Sequence, residues 1–501
     1  MDICDAIDRP INRQLKIMNC LQQSINTYIR LDDVCEIVEA SVKTVDKDIA
    51  ELSKEVSEYN LTLTITKNKR TVCLHCQDES LLDIFILTKL KETTQFYFTN
   101  NLFYQNEVQL NKAQLDLHFS FSNTFRLWKE YCLYLANYEL DFLKSTGTFL
   151  GEEENIRYYF FHYYWNMFKG LEWPFEQINR EEVISVVRSF EEVLPTKLSR
   201  VEFEKLLYWI AIIQVRNSIG QQLINNELTA TFAISDSINE DLLGIRGTLC
   251  VESNAEDKYF QVEEELLFFY FILVRESNFN REWLLDNLLL KVEVPNKSLS
   301  ELLVFQSNKL KSLIQGKKIY KSLQVRFLQV WIEKLVWGDY SGRFNLDQKK
   351  KTSNATIDLF LQDILYSYCS KVASILKLKG IQNQLEFIVE EFKEIIQASL
   401  PKEKIIAQLI VDMPWVNEIQ LREKLKNSGL QLEESGNKNR IPQLIITNLA
   451  YIYSEKKGMN ILYFNSTEFN ENEQKHLSYV CEKILLDKYK KELVEGGNSV
   501  G

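Results

Sequence analysis

The sequence predicts a mainly α-helical, multidomain protein with two winged-helix or helix-turn-helix units at its N-terminus and an α/β domain at its C-terminus. At 501 residues the chain is too long for one ordinary core. It contains only 16 Gly and 7 Pro, and segments such as VEFEKLLYWIAIIQVRNSIGQQLI keep helical periodicity without breakers. Prolines 10, 174, 295 and 401 stand beside the ends of periodic blocks. We therefore expect five domains and a disordered tail, with boundaries at 1–80, 81–170, 171–294, 295–400, 401–495 and 496–501.

Composition limits the classes of function. The net charge of −11 argues against a protein that coats nucleic acid indiscriminately, but a small basic surface can still act within a Debye length. Nine scattered cysteines, a polar start and no apolar run long enough to cross a bilayer predict a cytoplasmic protein without a membrane partner. The four histidines are dispersed, and neither a glycine-rich phosphate loop nor metal-ligand spacing is present. We expect no enzyme activity, no cofactor and no metal.

Residues 11–76 have the pattern of a winged helix. Two periodic helical segments, INRQLKIMNCLQQS and LDDVCEIVEA, precede a tight turn and a third, SVKTVDKDIAELS. Two alternating runs, LTLTIT and TVCLHC, follow and are joined by the basic sequence KNKR. Three helices closed by a β-hairpin with a basic tip predict a DNA-binding domain over residues 1–80.

The third helix is the predicted recognition helix of this first winged unit. Its apolar residues are expected to form one buried face, namely Val42, Val45, Ile49, Leu52 and Val56. The residues predicted to contact DNA are Ser41, Lys43, Thr44 and Lys47 on the helix, with Lys67, Lys69 and Arg70 at the hairpin tip. The alternative is an ordinary amphipathic surface helix.

The charge of the first winged unit is not favourable for tight binding. Residues 1–76 contain 10 Lys or Arg against 12 Asp or Glu, a net charge of −2, and Asp46, Asp48 and Glu51 stand beside the lysines. Several units held together are therefore expected to supply the affinity. The first two turns offer lysines and hydroxyls but no Arg, Asn or Gln, so the sequence predicts tolerant binding guided by the shape and bendability of A·T-rich DNA.

The sequence CLHC in the second hairpin strand resembles half of a zinc site. Cys73 and Cys76 are three residues apart on a predicted strand, so they project to opposite faces and cannot hold one ion together. His75 is expected to share the polar face with Cys73. We interpret these residues as ordinary residues of the wing.

A second winged unit is predicted within residues 81–170. NKAQLDLHF, the turn SFSN and TFRLWKEYCLYLANY again give helix, turn and longer helix, and ELDFLKSTGTFLGEEE can form a small wing around Gly147. Its predicted DNA contacts are Ser122, Asn123, Arg126 and Lys129. In the alternative interpretation the bulky residues Phe121, Phe125 and Trp128 make this helix a core element.

The segment after Pro401 changes character. IIAQLIVDM, LQLEES, QLIITNL and MNILYF are short strand-like runs, separated or followed by the helical patterns VNEIQLREKLKNSG and ENEQKHLSYVCEKILLDKYKKEL. Strands that alternate with helices predict a small α/β domain with a largely parallel sheet.

Three segments are similar to the Mga/AtxA family of virulence transcription regulators from Gram-positive bacteria. They are SVKTVDKDI, SFSNTFR and especially GEEENIRYYFFHYYW at 151–165. The resemblance implies two helix-turn-helix units, two helical domains like those regulated by the sugar phosphotransferase system at 171–294 and 295–400, and an enzyme-IIB-like α/β domain at 401–495.

Two departures from the family bear on regulation. Seven residues before Arg216, where the related antiterminators place a histidine, this chain has Trp209, and none of the four histidines falls within 171–400. Enzyme IIB proteins carry a phosphoryl group on a cysteine after the first strand, whereas here that strand ends in Asp412, Met413 and Pro414. Cys481 lies far away, on the last helix. We therefore expect control by oligomerisation, a small ligand or a partner protein.

Together these patterns predict a transcriptional regulator that binds double-stranded promoter DNA, with RNA polymerase as a further partner. A homodimer or larger oligomer is expected to form through the C-terminal domain, where Trp415, Leu444, Ile446 and Tyr463 offer apolar surface. One alternative is an RNA-binding antiterminator, which requires an all-β N-terminal module. Another is an interaction scaffold with a vestigial DNA-binding head.

Overall fold

The computed structural model describes residues 9–59, 62–138, 140–143, 147–223 and, with gaps, 229–290, 326–337, 362–399, 405–449 and 459–496. It is mainly helical. The chain divides into two compact bodies, one of residues 1–299 with 331–348 and the other of residues 300–330 with 349–501.

The first body begins with a three-helix unit closed by a small sheet. Its elements are α1 (Arg9–Gln22), β1 (Ile29–Arg30), α2 (Leu31–Ile37), α3 (Val42–Tyr59), β2 (Thr64–Lys67) and β3 (Thr71–His75). The sheet is antiparallel in the order β1-β3-β2, with Ile65 opposite Leu74 across the hairpin. The alternating apolar residues of both hairpin strands join α1, α2 and α3 in one core, as their spacing predicted.

A second helical unit follows directly. It consists of α4 (Glu79–Lys91), α5 (Thr94–Gln105), α6 (Leu110–Asp116), α7 (Phe121–Ala136), β4 (Asp141–Leu143), β5 (Thr148–Leu150) and α8 (Glu153–Phe168). The boundary expected after residue 80 falls inside α4, whose Leu82 and Phe85 complete the core of the first unit. Aromatic side chains fill the core between α5, α7, the β4-β5 hairpin and α8, with the rings of Phe103 and Phe160 at 4.9 Å.

The remaining described elements of the first body are mostly helices. They are α9 (Arg180–Glu191), α10 (Arg200–Ser218), β6 (Phe232–Ile234), α11 (Lys258–Glu276), α12 (Arg281–Asp286) and β7 (Leu288–Leu290). Ser199 and Glu202 form a capping box at the start of α10. The helix α10 packs against α8, α9 and α11, so it lies at the centre of this part of the fold.

The second body contains α13 (Leu385–Ser399), β8 (Ile406–Ile410), α14 (Trp415–Asn427), β9 (Gln431–Glu433), β10 (Leu444–Thr447), β11 (Ile461–Tyr463) and α15 (Glu471–Gly496). The four strands form one parallel sheet in the order β11-β10-β8-β9. Apolar residues of α14 and α15, including Leu425 and Leu477, pack in its core. The helix α15 runs to Gly496, which was expected to be the first residue of the tail, and residues 497–501 lie outside the described residues.

None of the helices in the described residues is long and apolar enough to span a bilayer.

Candidate DNA-binding surface

Two segments of the first body have the same helix-turn-helix geometry. Leu31–Ile37 corresponds to Leu110–Asp116, and the start of α3 at Val42 corresponds to the start of α7 at Phe121, a constant offset of 79 residues. A β-hairpin follows the second helix in each case. The second helix of such a pair is the one that enters the DNA major groove in helix-turn-helix proteins.

The turns match bond by bond. Glu39 and His118 both have positive φ, at 52° and 54°. The Ala40 amide donates to the Cys35 carbonyl at 3.1 Å, and the equivalent Phe119 amide donates to the Gln114 carbonyl at 3.2 Å. A left-handed residue lets the chain reverse while these donors stay satisfied.

The first residue of each second helix is preceded by a serine cap. The Ser41 Oγ accepts from the Thr44 amide at 3.3 Å, and the Ser120 Oγ accepts from the Asn123 amide at 3.3 Å. Each cap satisfies one amide that the helix itself cannot pair. Ser41, predicted as a DNA contact, therefore has a structural role as well as an exposed position.

The predicted recognition residues of α3 lie on its solvent side. Lys43 and Lys47 are exposed and Thr44 is half-buried, while Val45, Ile49, Leu52 and Val56 are buried. The prediction for Val42 is wrong, because its side chain is 45% exposed. As the first helical residue, Val42 precedes the part of the helix that the hairpin and α1 cover.

The carboxylates beside these lysines are paired within the protein. Asp48 is buried and bonded to the Arg13 guanidinium, which raises the pKa of Arg13 through that hydrogen bond. Gln14 donates to Glu51 at 3.0 Å. Residues of α1 thus neutralise Asp48 and hydrogen-bond Glu51. The net charge of −2 therefore overstates the repulsion that a phosphate would meet at α3.

The third acid is held by the wing. The Lys67 ammonium lies 2.5 Å from the Asp46 carboxylate and so fixes the hairpin against α3. Lys69 and Arg70 at the tip are exposed, and no salt bridge to either occurs within the described residues. Of the three predicted wing cations, Lys69 and Arg70 are free to reach phosphate, whereas Lys67 orients the wing.

The CLHC segment is part of the sheet. His75 hydrogen-bonds through Nε2 to the Thr66 hydroxyl at 2.9 Å. Cys73, expected on a polar face, is buried instead, and its Sγ lies 3.9 Å from Nδ1 of His75. Burial raises the pKa of the Cys73 thiol. No group of side chains suited to a metal ion occurs in the described part of the chain.

The predicted contacts of the second winged unit share one exposed face of α7. Ser122, Arg126 and Lys129 are exposed and Asn123 is half-buried. The Arg126 guanidinium donates to the Asn123 side-chain carbonyl at 3.0 Å and to the Glu130 carboxylate at 2.7 Å. These bonds connect Asn123, Arg126 and Glu130 on the exposed side of α7.

The bulky residues of α7 divide between core and surface. Trp128 is buried against Phe142 of the hairpin, with ring centroids 4.9 Å apart. Phe121 and Phe125 are 48% and 50% exposed and stack on each other at 6.4 Å. The alternative in which all three residues are core is therefore wrong for the two phenylalanines.

The wing of the second unit depends on Gly147. Its φ is 71°, and a Cβ there would lie 3.0 Å from the Val108 carbonyl oxygen. Residues 144–146 at the tip lie outside the described residues. The predicted hairpin forms around this glycine, with Phe142 opposite Phe149.

A buried ion network joins the second winged unit to the helices behind it. Arg216 of α10 donates two bonds to Glu153 of α8, at 2.9 and 2.8 Å, and one to the Asn106 side chain at the end of α5, at 3.0 Å. Arg157 of α8 makes a bidentate pair with Glu265 of α11, at 2.6 and 2.8 Å. The Asn106 carbonyl also accepts from the Phe149 amide of the wing at 3.0 Å. Asn106 thus links the β4-β5 hairpin to Arg216 of α10.

Trp209 is a core residue. It is fully buried, stacks on Phe161 at 4.3 Å and donates from Nε1 to the Glu276 carboxylate at 3.4 Å. Sequence reasoning missed its neighbour His162, which lies on α8 before residue 171. Its ring nitrogen is 3.3 Å from Arg275 of α11, so the fold brings a histidine into contact with this helical core.

The sheet of the second body corrects one prediction. Leu444 and Ile446 are completely buried in its own core, so they do not offer surface to another chain. Tyr463 is exposed, and the side chain of Trp415 lies outside the described residues. Asp412 follows β8, and its amide and carbonyl pair with the Asn448 side chain at 2.9 and 2.8 Å.

Periodicity alone did not reveal that the two helix-turn-helix pairs are so alike. Over residues 31–49 and 110–128 the only identical aligned residues are the leucine that starts the first helix and the serine cap. That leucine-to-serine spacing is the signal that could have found the repeat.

The fold and the exposed second helices place this chain among helix-turn-helix proteins. Residues 78–164 match the Mga helix-turn-helix domain, which includes α6 and α7. The match agrees with the resemblance noted in the sequence: residues 78–164 carry an Mga helix-turn-helix domain.

Two curated proteins are similar at low identity. The capsule synthesis positive regulator AcpB of Bacillus anthracis is 20% identical over 218 residues, which cover 43% of this chain and 44% of that protein. A putative trans-acting regulator of Streptococcus pneumoniae serotype 4 is 20% identical over 206 residues, which cover 40% and 41%. The chain therefore spans less than half the length of either relative.

Proposed function

We propose that the chain regulates transcription by binding double-stranded promoter DNA through both α3 and α7. The observation that carries the proposal is the repeated geometry: two helix-turn-helix pairs with matching turns, matching serine caps and exposed second helices. The comparisons support the second pair, because the matched domain contains it. The first pair lies before that domain, so the proposal that it binds DNA rests on its structural likeness to the second pair.

The distribution of charge supports the same surface. In the first winged unit Asp48 is neutralised by Arg13 and Asp46 by Lys67, which leaves Lys43, Lys69 and Arg70 exposed around the start of α3. Phosphate contacts of this kind position a protein on the duplex. In the second unit Asn123 and Arg126 are the residue types that read adenine and guanine edges.

The RNA-binding antiterminator is the weaker candidate. It requires an all-β module at the N-terminus, whereas residues 9–59 form α1, α2 and α3 with only a two-residue strand between them. The scaffold alternative is separated from DNA binding by the following experiment.

Gel shifts with the full chain on A·T-rich duplexes test the proposal. We expect Lys43→Ala with Lys47→Ala to weaken binding on every duplex and to lower the salt dependence by about two counterions, since each lysine faces solvent at the start of α3. Arg126→Ala with Lys129→Ala makes the same test of α7. Lys54→Ala is the matched control, because Lys54 is exposed on α3 but stands beyond the turns that face the groove.

The outcomes are distinct. Binding that is unchanged by the first pair but abolished by the second assigns DNA contact to α7 alone. Wild-type protein that binds no duplex above the level of a control protein contradicts the proposal and favours the scaffold.

The rest of the proposed architecture follows the resemblance. We propose helical regulation-like domains at 171–294 and 295–400 and an enzyme-IIB-like domain at 401–495, with RNA polymerase as a further partner. The parallel four-stranded sheet supports the last domain. Much of 295–400 lies outside the described residues.

We further propose that the protein forms a homodimer or larger oligomer through residues 401–495. Leu444 and Ile446 are excluded from that surface, but Val416, Ile419 and Tyr463 are exposed there. Assembly would bring several DNA-binding units together and raise the effective concentration of each. A ligand or partner protein that changes the oligomeric state would then change how much of the DNA is occupied.

A further inference from the structure

We infer that Phe121 and Phe125 of α7 read the C5-methyl groups of thymine in the DNA major groove. The inference rests on the proposed function and names the base that α7 would recognise. It concerns an exposed aromatic pair at the start of α7 that the expected DNA contacts did not include.

The two rings form a single apolar surface. Phe121 is the first residue of α7 and Phe125 lies one turn later, and their rings are 6.4 Å apart with planes 17° from parallel. About half of each side chain is exposed. A single exposed apolar residue needs no explanation, but two stacked phenylalanines at the start of a recognition helix form a continuous patch.

The surroundings of the pair match DNA. Ser122, Arg126 and Lys129 share the exposed side of α7, and Asn123 borders it. Glu130 on the same side is paired with Arg126, so Lys129 leaves the rim with a net positive charge. Such a charged and hydrogen-bonding rim fits the phosphates and base edges of a duplex better than it fits an apolar protein surface. The N-terminal residues of a recognition helix are those that reach base edges.

The first winged unit has an apolar residue at the equivalent place. Val42 corresponds to Phe121 under the 79-residue offset and is 45% exposed. Apolar side chains contact the methyl group that only thymine presents in the major groove. The expected preference for A·T-rich DNA then has a direct cause in addition to shape.

The test compares two versions of one duplex. An A·T-rich duplex of about 40 base pairs spans several helical turns, and its counterpart carries deoxyuridine in place of thymidine. The replacement removes the methyl groups and leaves the hydrogen-bonding edges of each A·T pair unchanged. Affinity of the full chain for both duplexes is measured at one fixed salt concentration.

We expect wild-type protein to bind the uridine duplex more weakly, by roughly fourfold for each thymine methyl group that the rings would otherwise bury. Phe121→Ala with Phe125→Ala should discriminate much less between the two duplexes, with only the contribution of Val42 remaining. Leu133→Ala is the matched control, because Leu133 is 63% exposed on α7 but lies two turns beyond Phe125. That variant should discriminate between the duplexes as the wild type does.

Three results would overturn the inference. Wild-type protein that binds tightly but equally to both duplexes excludes methyl recognition while leaving the proposed DNA binding intact. Discrimination that persists undiminished in the double variant assigns it to other residues. A double variant that changes sedimentation but not discrimination assigns the pair to a protein interface. Failure of wild-type protein to bind either duplex is a failure of the proposed function itself.

Discussion

At the residue scale, His162 lies in surroundings that oppose its charged form. Burial lowers the pKa of His162 well below its usual value, and the nearby cations Arg275 and Lys205 lower it further. The imidazole is therefore neutral in the folded protein near pH 7. Arg275 is itself held over the Tyr158 ring at 4.7 Å and paired with Glu276 at 2.8 Å.

This environment predicts a loss of stability in mild acid. Because the folded-state pKa is depressed, the unfolded chain binds a proton near pH 6.5 that the folded chain does not bind. The contribution of neutral His162 to stability is therefore fully present above about pH 6.5. At lower pH the free energy of unfolding decreases by up to about 1.4 kcal/mol per pH unit. His162→Gln should make urea midpoints less sensitive between about pH 7.5 and 5.5. His476→Gln, at an exposed histidine, controls for loss of an imidazole. An identical pH response in His162→Gln and wild type would contradict the prediction.

At the scale of elements, the buried ion network determines how α5, α8, α10 and α11 fit together. Arg157 is completely buried and its bidentate partner Glu265 is 2% exposed. Such pairs gain little over apolar packing when intact, but removal of one partner leaves a buried charge uncompensated. The network therefore specifies one arrangement of the helices behind the second winged unit.

Substitution of one partner tests this role. We expect Glu265→Gln to lower the free energy of unfolding by roughly 3 to 5 kcal/mol, since Arg157 loses its bidentate carboxylate. Glu130→Gln removes an exposed pair with Arg126 and should cost less than about 1 kcal/mol. Denaturant titrations of both variants measure the difference, and equal costs would show that the buried network is dispensable.

At the scale of the whole molecule, the proposed oligomer would form through exposed apolar residues of the second body. Val416 and Ile419 lie three residues apart on α14 and are 59% and 40% exposed. The proposed oligomer would cover them, whereas Leu444 and Ile446 already lie inside the sheet core. The surface for assembly is thus a helix face and a strand edge.

Introduction of charge on that face tests the oligomer. We expect Val416→Glu with Ile419→Glu to sediment as a smaller species than wild type and to bind DNA more weakly, because linked units lose effective concentration. Leu171→Glu places one such charge at an exposed leucine of the other body and should sediment as wild type. An unchanged species for the α14 variant would place assembly elsewhere.

The sequence alone determined the local elements of this protein. Alternating residues such as Ile65 and Leu74 predict a hairpin, and the 3.6-residue spacing of Val45, Ile49 and Leu52 predicts a helix, because these periods follow from backbone geometry. Ser41 stands directly before α3, where the pattern predicted the start of that helix, whereas α7 begins at Phe121, inside the SFSN segment that was predicted as a turn. The resemblance to Mga/AtxA regulators came from the same local segments.

Only the tertiary structure decided which side chains are available. Val42 fits the helical period yet is exposed. Leu444 and Ile446 were expected at an interface yet are buried. On α7, Trp128 is buried whereas Phe121 and Phe125 are about half exposed. The pairing of Asp48 with Arg13 and of Asp46 with Lys67 joins residues far apart in the chain. The period of a sequence pattern predicts which residues share one face of a helix or strand. Whether those residues are exposed or paired with a charge depends on which other element packs against that face.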